Sequence, residues 1–247
     1  MDLEIDKIWE GIYKEFSDLG ELGNAHDSRR WHESELKKIN EQISNFNRGI
    51  INSNFIENIL SVLAGSICNL NNTIKILDFG GGLGHSYFPL RLNLPDHFKL
   101  KYLIIENKSL CKLGKKINKD FEEIFFNSQI KEQKVDLIFA KSSLHYVSNW
   151  EQLLKQFRKL SPEYLIISDL PASEIKTFVT SQKYYNYKIP VRFWNINEFL
   201  NFMDSLDYKL IYRSKLGGSN HYLKFLKSFE KDYRLEYFSD LVFKKKH

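Results

Sequence analysis

Apolar positions change their spacing near residue 72. Before it they recur every three or four residues, the signature of helices with one buried face. In the polar opening segment, residues 1–27, Ile8, Trp9, Ile12, Tyr13 and Phe16 fit a short amphipathic helix. Asp27 or Ser28 can cap the next helix, which carries Leu36, Ile39, Ile43, Phe46 and Ile50 on one face. After Asn52-Ser53-Asn54, Phe55, Ile59, Val62 and Leu63 begin another, so residues 28–70 read as two helices. Beyond them the apolar residues gather into short β-branched runs. These are Ile74–Asp78, Lys101–Glu106, Ile124–Phe126, Val135–Ala140, Tyr164–Asp169, Tyr208–Tyr212 and Tyr237–Phe243. Helical stretches lie between them, notably Trp150–Leu160 and Ile196–Leu206. Such alternation predicts an α/β fold: a doubly wound, seven-stranded, mostly parallel sheet with helices on both faces. Residues 1–70 are expected to form an N-terminal helical cap over the substrate, and residues 71–247 a ligand-binding domain.

Composition narrows this picture a little. At 247 residues, 43% hydrophobic and 27% charged, the chain can build its own core. No run approaches the roughly 20 apolar residues of a membrane span. The acidic start, Met1-Asp2-Leu3-Glu4-Ile5-Asp6, lacks a signal peptide's basic opening, and a cytoplasmic location is expected. Cys68 and Cys111 match neither a zinc spacing nor a Cys-x-x-Cys pair and read as free thiols. The net charge of +5 includes Lys244-Lys245-Lys246. It permits a nucleic-acid partner without indicating one, and an anionic small molecule accounts for it equally. No nucleic-acid partner is expected, and oligomeric state is not legible.

The first chemical signal is Asp78-Phe79-Gly80-Gly81-Gly82-Leu83-Gly84, directly after the first strand. Small residues there let the backbone approach a ligand, at the strand ends where doubly wound sheets bind cofactors. The spacing is not that of a dinucleotide fingerprint, because His85 occupies the third glycine position. It is not a P-loop either, lacking the terminal Gly-Lys-Ser/Thr. Glu106, at the end of the second strand, can accept both hydroxyls of a ribose.

Together these residues resemble a class I S-adenosylmethionine-dependent methyltransferase. Ile74–Gly84 is similar to that superfamily's first motif, Glu106 to its ribose-binding acid, and Val135–Tyr146 to its fourth strand and following turn. The resemblance covers roughly residues 70–215 and implies the Rossmann-like methyltransferase fold with S-adenosyl-L-methionine as cofactor. It implies that Asp78, Gly80, Gly82, Gly84, Glu106, Asn127, Ser128 and Ser142 face that cofactor, with Asn127 and Ser128 near adenine. A narrower resemblance joins Ile8-Trp9-Glu10-Gly11-Ile12-Tyr13, Leu77-Asp78-Phe79-Gly80-Gly81-Gly82-Leu83-Gly84 with Ser86-Tyr87-Phe88, and Arg192-Phe193-Trp194-Asn195 to a bacterial methyltransferase family of surface-polysaccharide biosynthesis. It implies O-methylation of a sugar, nucleotide-linked or phosphorylated, a heptose of a capsule or O-antigen precursor among the options. This sequence departs from that family at His145, where a Gln is expected, and at Leu170, where an Arg is expected.

An alcohol acceptor must lose a proton, so a base should stand on the strand ends. His145 behind the fourth strand and Asp169 at the end of the fifth are the candidates. No set of carboxylates suffices for a metal. Tyr13, His85, Arg192, Trp194 and His221 are candidates for the acceptor. Tyr184–Trp194 is dense in rings and reads as a substrate lid or as a packed insertion over the sheet edge. Arg29-Arg30-Trp31-His32 is a candidate for a diphosphate. Among other acceptors, exocyclic amines of nucleic acids are disfavoured by Ala140-Lys141-Ser142-Ser143 after strand four, and cytosine C5 by the placement of both cysteines. A small-molecule or RNA methyltransferase remains the alternative among enzymes, and a methyltransferase-like assembly protein the alternative outside them.

Overall fold

A computed structural model describes residues 8–20, 28–71, 73–184, 187–216, 226 and 229–246. The main sheet has seven strands: β2 (Thr73–Phe79), β3 (Lys99–Ile105), β4 (Ile124–Asn127), β5 (Leu137–Lys141), β6 (Tyr164–Leu170), β10 (Tyr208–Leu216) and β11 (Phe238–Lys245). Their order is β10-β11-β6-β5-β2-β3-β4. The five from β6 to β4 are parallel, while β11 runs antiparallel to both neighbours. All seven expected runs are strands of this sheet.

Side chains alternate between its two faces, as the pleat requires. Ile74, Ile76, Leu100, Tyr102, Ile104 and Phe139 enter one buried cluster with the helices α2 (Phe55–Asn71), α3 (Tyr87–Asn93) and α4 (Lys108–Ile117). Leu77, Leu103, Ile138, Leu165, Ile167 and Phe243 enter the other with α5 (Trp150–Lys159) and α6 (Ile196–Ser205). α3 is short because Leu94, preceding Pro95, is extended.

The two helices expected over 28–70 are α1 (Arg29–Asn47) and α2. Ser28 caps α1 by accepting from Trp31 N at 3.2 Å. Asn54 and Glu57 cap α2 reciprocally: Glu57 N donates to Asn54 Oδ1 and Asn54 N to Glu57 Oε2, both at 3.0 Å. α2 does not stand apart as a cap. Its Ile56, Leu60, Ala64 and Cys68 share one core with Ile74 and Ile76 of β2, so a boundary at residue 70 runs through continuous packing.

The opening segment corrects an expectation. Trp9–Tyr13 is a strand, β1, followed by a 3-10 turn at Phe16–Leu19. Gly11 has φ +80°, which no α-helix accommodates. β1 pairs with β8 (Phe178–Tyr184), β8 with β9 (Tyr187–Asn195), and β9 with the two-residue β7 (Ala172–Ser173). This second, four-stranded sheet absorbs the ring-rich stretch, and Trp9, Phe178, Val191 and Phe193 form its core with Phe229 and Phe238. Cys68 and Cys111 are free and buried. Among the described residues, no helix is long and apolar enough to cross a membrane.

Candidate active site

The C-terminal ends of β2, β3, β5 and β6 open onto one cavity of about 1010 Å³. That is room for a nucleoside cofactor with a small acceptor beside it. α1 supplies one wall through Trp31, Glu35 and Lys38; the second sheet supplies another through Trp9, Gln182, Tyr184 and Val191.

The glycine loop leaves β2 through two left-handed residues, Gly80 at φ +69° and Gly82 at φ +59°. Gly80 N donates to Ile105 O at 2.9 Å, fastening the loop to β3. A Cβ on Gly80 would lie 2.4 Å from Ser143 Cβ, and one on Gly81 only 2.3 Å from Asp78 Oδ2. The loop therefore admits no side chain where it turns. Gly80 and Gly82 border the cavity. Gly84 turns away from it, packing toward Ile104.

Two carboxyl groups face the cavity beside this loop. Glu106 is held at both oxygens, by Gly82 N at 3.1 Å and Asn107 N at 3.0 Å. Burial pushes it above the ordinary carboxylate range despite those two donors. Asp78 is 1% exposed, and Tyr102 OH donates to its Oδ2 at 2.7 Å. Its Oδ1 is buried with no hydrogen-bond partner among the described residues. Burial pushes Asp78 up to about 7; the Tyr102 bond and Lys141 oppose this, while Glu106 and Glu57 add to it. Of the two residues expected near adenine, Ser128 borders the cavity and the Asn127 side chain does not. Asn127 contributes through its carbonyl, which accepts from Glu106 N at 3.1 Å.

Beyond β5 the site becomes strained. Ser142 has φ 51° and Asp169 φ 55°. Such left-handed backbone in non-glycine residues costs about 1–3 kcal/mol each and persists only where neighbours impose it. Ser142 Oγ donates to Asp169 Oδ2 at 2.6 Å, and Ser142 N to Ser168 O at 3.0 Å. Asp169 N donates to buried Asp240 Oδ1 at 2.9 Å. Burial pushes the Asp169 carboxyl up, Ser142 opposes, and Asp240 adds. His145 lies on the 3-10 turn Leu144–Tyr146, 6% exposed, at the cavity wall. Ser143 fastens that turn to the glycine loop by donating to Phe79 O at 2.8 Å.

α1 and α2 add groups that sequence reasoning missed. Glu35 Oε2 lies 2.7 Å from His85 Nε2, and Glu35 Oε1 accepts from Lys38 Nζ at 2.8 Å. Burial acts to raise the Glu35 carboxyl, but His85 and Lys38 outweigh it and hold it at about 2. Glu57 Oε1 accepts from Lys141 Nζ at 2.8 Å and Ser86 Oγ at 3.2 Å, joining α2 to β5 and α3. A signal for Glu35 was present: Trp31, Glu35 and Ile39 form one buried stripe at intervals of four, with a carboxylate in its middle.

The structure thus gathers Asp78, Gly80, Gly82, His85, Glu106, Ser128, Ser142, His145 and Asp169 around one cavity. It places three acceptor candidates elsewhere. Trp194 is 1% exposed in the core, between Trp150 and Phe199. Arg192 is buried, pairs with Glu15 at 2.8 Å and covers the Phe16 ring. Tyr13 pairs with Val179 at the end of β1, off the cavity. His221 lies outside the described residues. Of the basic tetrapeptide, Trp31 borders the cavity, while Arg29 pairs at the surface with Glu33.

No protein-family model and no curated protein sequence matches this chain. Solved structures do. A S-adenosylmethionine-dependent methyltransferase from Clostridium acetobutylicum aligns with a TM-score of 0.51 at 12% identity, covering 86% of this chain and 99% of that one. The 1,6-didemethyltoxoflavin-N1-methyltransferase of Burkholderia thailandensis, solved with bound 1,6-didemethyltoxoflavin and S-adenosylhomocysteine, aligns with a TM-score of 0.51 at 12% identity, covering 92% of this chain and 93% of that one. The cyclase SpnF aligns with a TM-score of 0.52 at 10% identity over 76% and 80%. At these identities the shared property is architecture, and one such architecture serves different reactions. The chain has the Rossmann-like methyltransferase fold.

Proposed function

We propose that the protein is a S-adenosyl-L-methionine-dependent methyltransferase acting on a hydroxyl of a small sugar acceptor. One observation carries the reading. The side-chain-free turn at Gly80–Gly82 lies between the buried carboxyl of Asp78 and the half-buried carboxyl of Glu106, on a cavity that continues to Asp169 and His145. These residues fit the cofactor: Glu106 suits the ribose hydroxyls, and the unpartnered Asp78 Oδ1 suits an ammonium group. When bound, the cofactor supplies an electrophilic methyl group.

The chain's own part is alignment and proton removal. Asp169, with one oxygen held by Ser142 and its proton affinity raised by burial, suits the general base. His145 stands close along the wall as a second proton-handling group. Support for a sugar comes from the resemblance to surface-polysaccharide enzymes and from the mix of rings and carboxylates in the wall. Both lysines of that wall are already paired, Lys38 with Glu35 and Lys141 with Glu57. The acceptor's hydroxyl-bearing ring therefore belongs in the cavity, and any phosphate or nucleotide it carries belongs outside. Capsule or O-antigen precursors are the class this reading points to.

The test is calorimetric titration with S-adenosylhomocysteine, followed by methyl transfer to a panel of nucleotide-sugars. The native chain should bind at micromolar concentration, Gly82→Arg should abolish binding and Glu106→Ala should weaken it. Asp169→Asn should retain the cofactor and lose transfer by about 10²-fold or more. No binding at millimolar ligand would refute the methyltransferase reading.

A further inference from the structure

Asp78 is the most deeply buried acid of the cavity wall, and its two oxygens are treated differently. Oδ2 accepts from Tyr102, whose hydroxyl burial keeps far from ionising, so it remains a donor. Oδ1 has no hydrogen-bond partner among the described residues and belongs to a side chain that borders the cavity. The charged and titratable groups facing Asp78 come from three neighbouring elements. They are Tyr102 on β3 with Glu106 just beyond it, Lys141 at the end of β5, and Glu57 on α2. Lys141, the one cation of this set, is taken by Glu57 at 2.8 Å. A carboxylate so enclosed, among other acids and without a counter-ion, is costly to ionise until a cation reaches it.

We propose that Asp78 is protonated in the ligand-free protein and surrenders that proton to solvent when the ammonium group of the cofactor's amino-acid moiety enters the cavity, with Tyr102 as the positioning residue that fixes the carboxyl. The inference rests on the methyltransferase reading above. The balance is simple: the carboxyl O–H breaks, one proton goes to buffer, and an ammonium–carboxylate pair forms at Oδ1 while the Tyr102 bond to Oδ2 stays. With the carboxyl at about 7, binding strengthens as pH rises through that value and levels off above it.

The experiment is calorimetric titration of the full chain with S-adenosylhomocysteine in phosphate and in Tris, buffers of low and high ionisation heat. Near neutral pH the two heats should differ by about half a proton per ligand, and affinity should rise about tenfold from pH 6 to pH 8. The probe 5′-methylthioadenosine, which lacks the ammonium group, should bind with equal heats in both buffers. Asp78→Asn should abolish the proton release. Tyr102→Phe, which removes the donor that favours the ionised form, should move the pH midpoint upward, a shift that lost packing alone does not produce. Should Tyr102→Phe fail to fold, the buffer pair on the native chain still decides. Equal heats and equal affinity at pH 6 and pH 8 would overturn the inference while leaving the cofactor assignment intact. Proton release of the same size with 5′-methylthioadenosine would overturn the ammonium as its trigger. Absence of any S-adenosylhomocysteine binding would remove the methyltransferase reading and this inference together.

Discussion

Replacing Glu35 with Gln tests whether α1 is held onto the glycine loop electrostatically. Glu35 is 6% exposed, bonded to His85 Nε2 at 2.7 Å and Lys38 Nζ at 2.8 Å. Its carboxyl sits at about 2 instead of 4.5, because His85 and Lys38 together exceed the opposing effect of burial. That difference corresponds to about 3 kcal/mol of stability carried by the ionised form. The sign follows from a lowered folded-state value: the contribution is complete above pH 4.5 and is lost as pH falls toward 2. Gln preserves the shape and one hydrogen bond but not the charge, so Glu35→Gln should cost about 2–3 kcal/mol at pH 7. The assay is urea unfolding of the native chain, Glu35→Gln, His85→Gln and the double variant, at pH 7 and at about pH 3.5. The cycle should give a coupling of about 1–3 kcal/mol at pH 7, and the gap between native and Glu35→Gln should narrow at the lower pH. A Glu35→Gln variant within about 0.5 kcal/mol of the native chain at pH 7, or a gap that ignores pH, would refute the reasoning.

Three further outcomes follow from the same geometry. Gly80→Ala places a Cβ 2.4 Å from Ser143 Cβ at φ +69°, so it should lower stability by about 2 kcal/mol or more and abolish S-adenosylhomocysteine binding, read by thermal melts with and without ligand. Trp194→Ala should cost about 3–5 kcal/mol in urea unfolding because the ring is fully buried; an unchanged unfolding midpoint would return Trp194 to the acceptor candidates. Lys141→Met leaves Glu57 nearly buried without its cation and should cost about 3 kcal/mol at pH 7 in urea unfolding; an unchanged midpoint would refute the pairing.

The sequence by itself determined the main sheet and the mouth of the site. The runs of the central parallel strands β2, β3, β5 and β6 are legible because such strands are buried on both faces and so are mostly apolar, and the edge runs follow by the same β-branched bias. The glycine loop is legible because a turn with left-handed backbone and no room for a Cβ demands glycine directly after a strand end, and Glu106 because it stands alone as an acid at the end of the next apolar run. The structure confirms that Gly80 and Gly82 use left-handed backbone there.

Only the tertiary structure decided the second sheet and the cavity wall that it shares with α1. β1 is five residues long, and its alternation acquires meaning only opposite β8, about 170 residues away along the chain, where Trp9 meets Gln182. Read locally, the same apolar residues fit a helix, and nothing near them in sequence breaks the tie. Trp194 and Arg192 look alike in sequence to ligand-binding side chains; packing against Trp150 and Phe199, and pairing with Glu15, spend them on the core instead. Glu35 and His85 are 50 residues apart and meet in one hydrogen bond only when α1 crosses the loop. The reason is common to all of these: periodicity records whether a side chain is buried, whereas the partner that buries it is chosen by contacts between distant segments, and it is those contacts that bring α1 and the second sheet to the same cavity as the glycine loop.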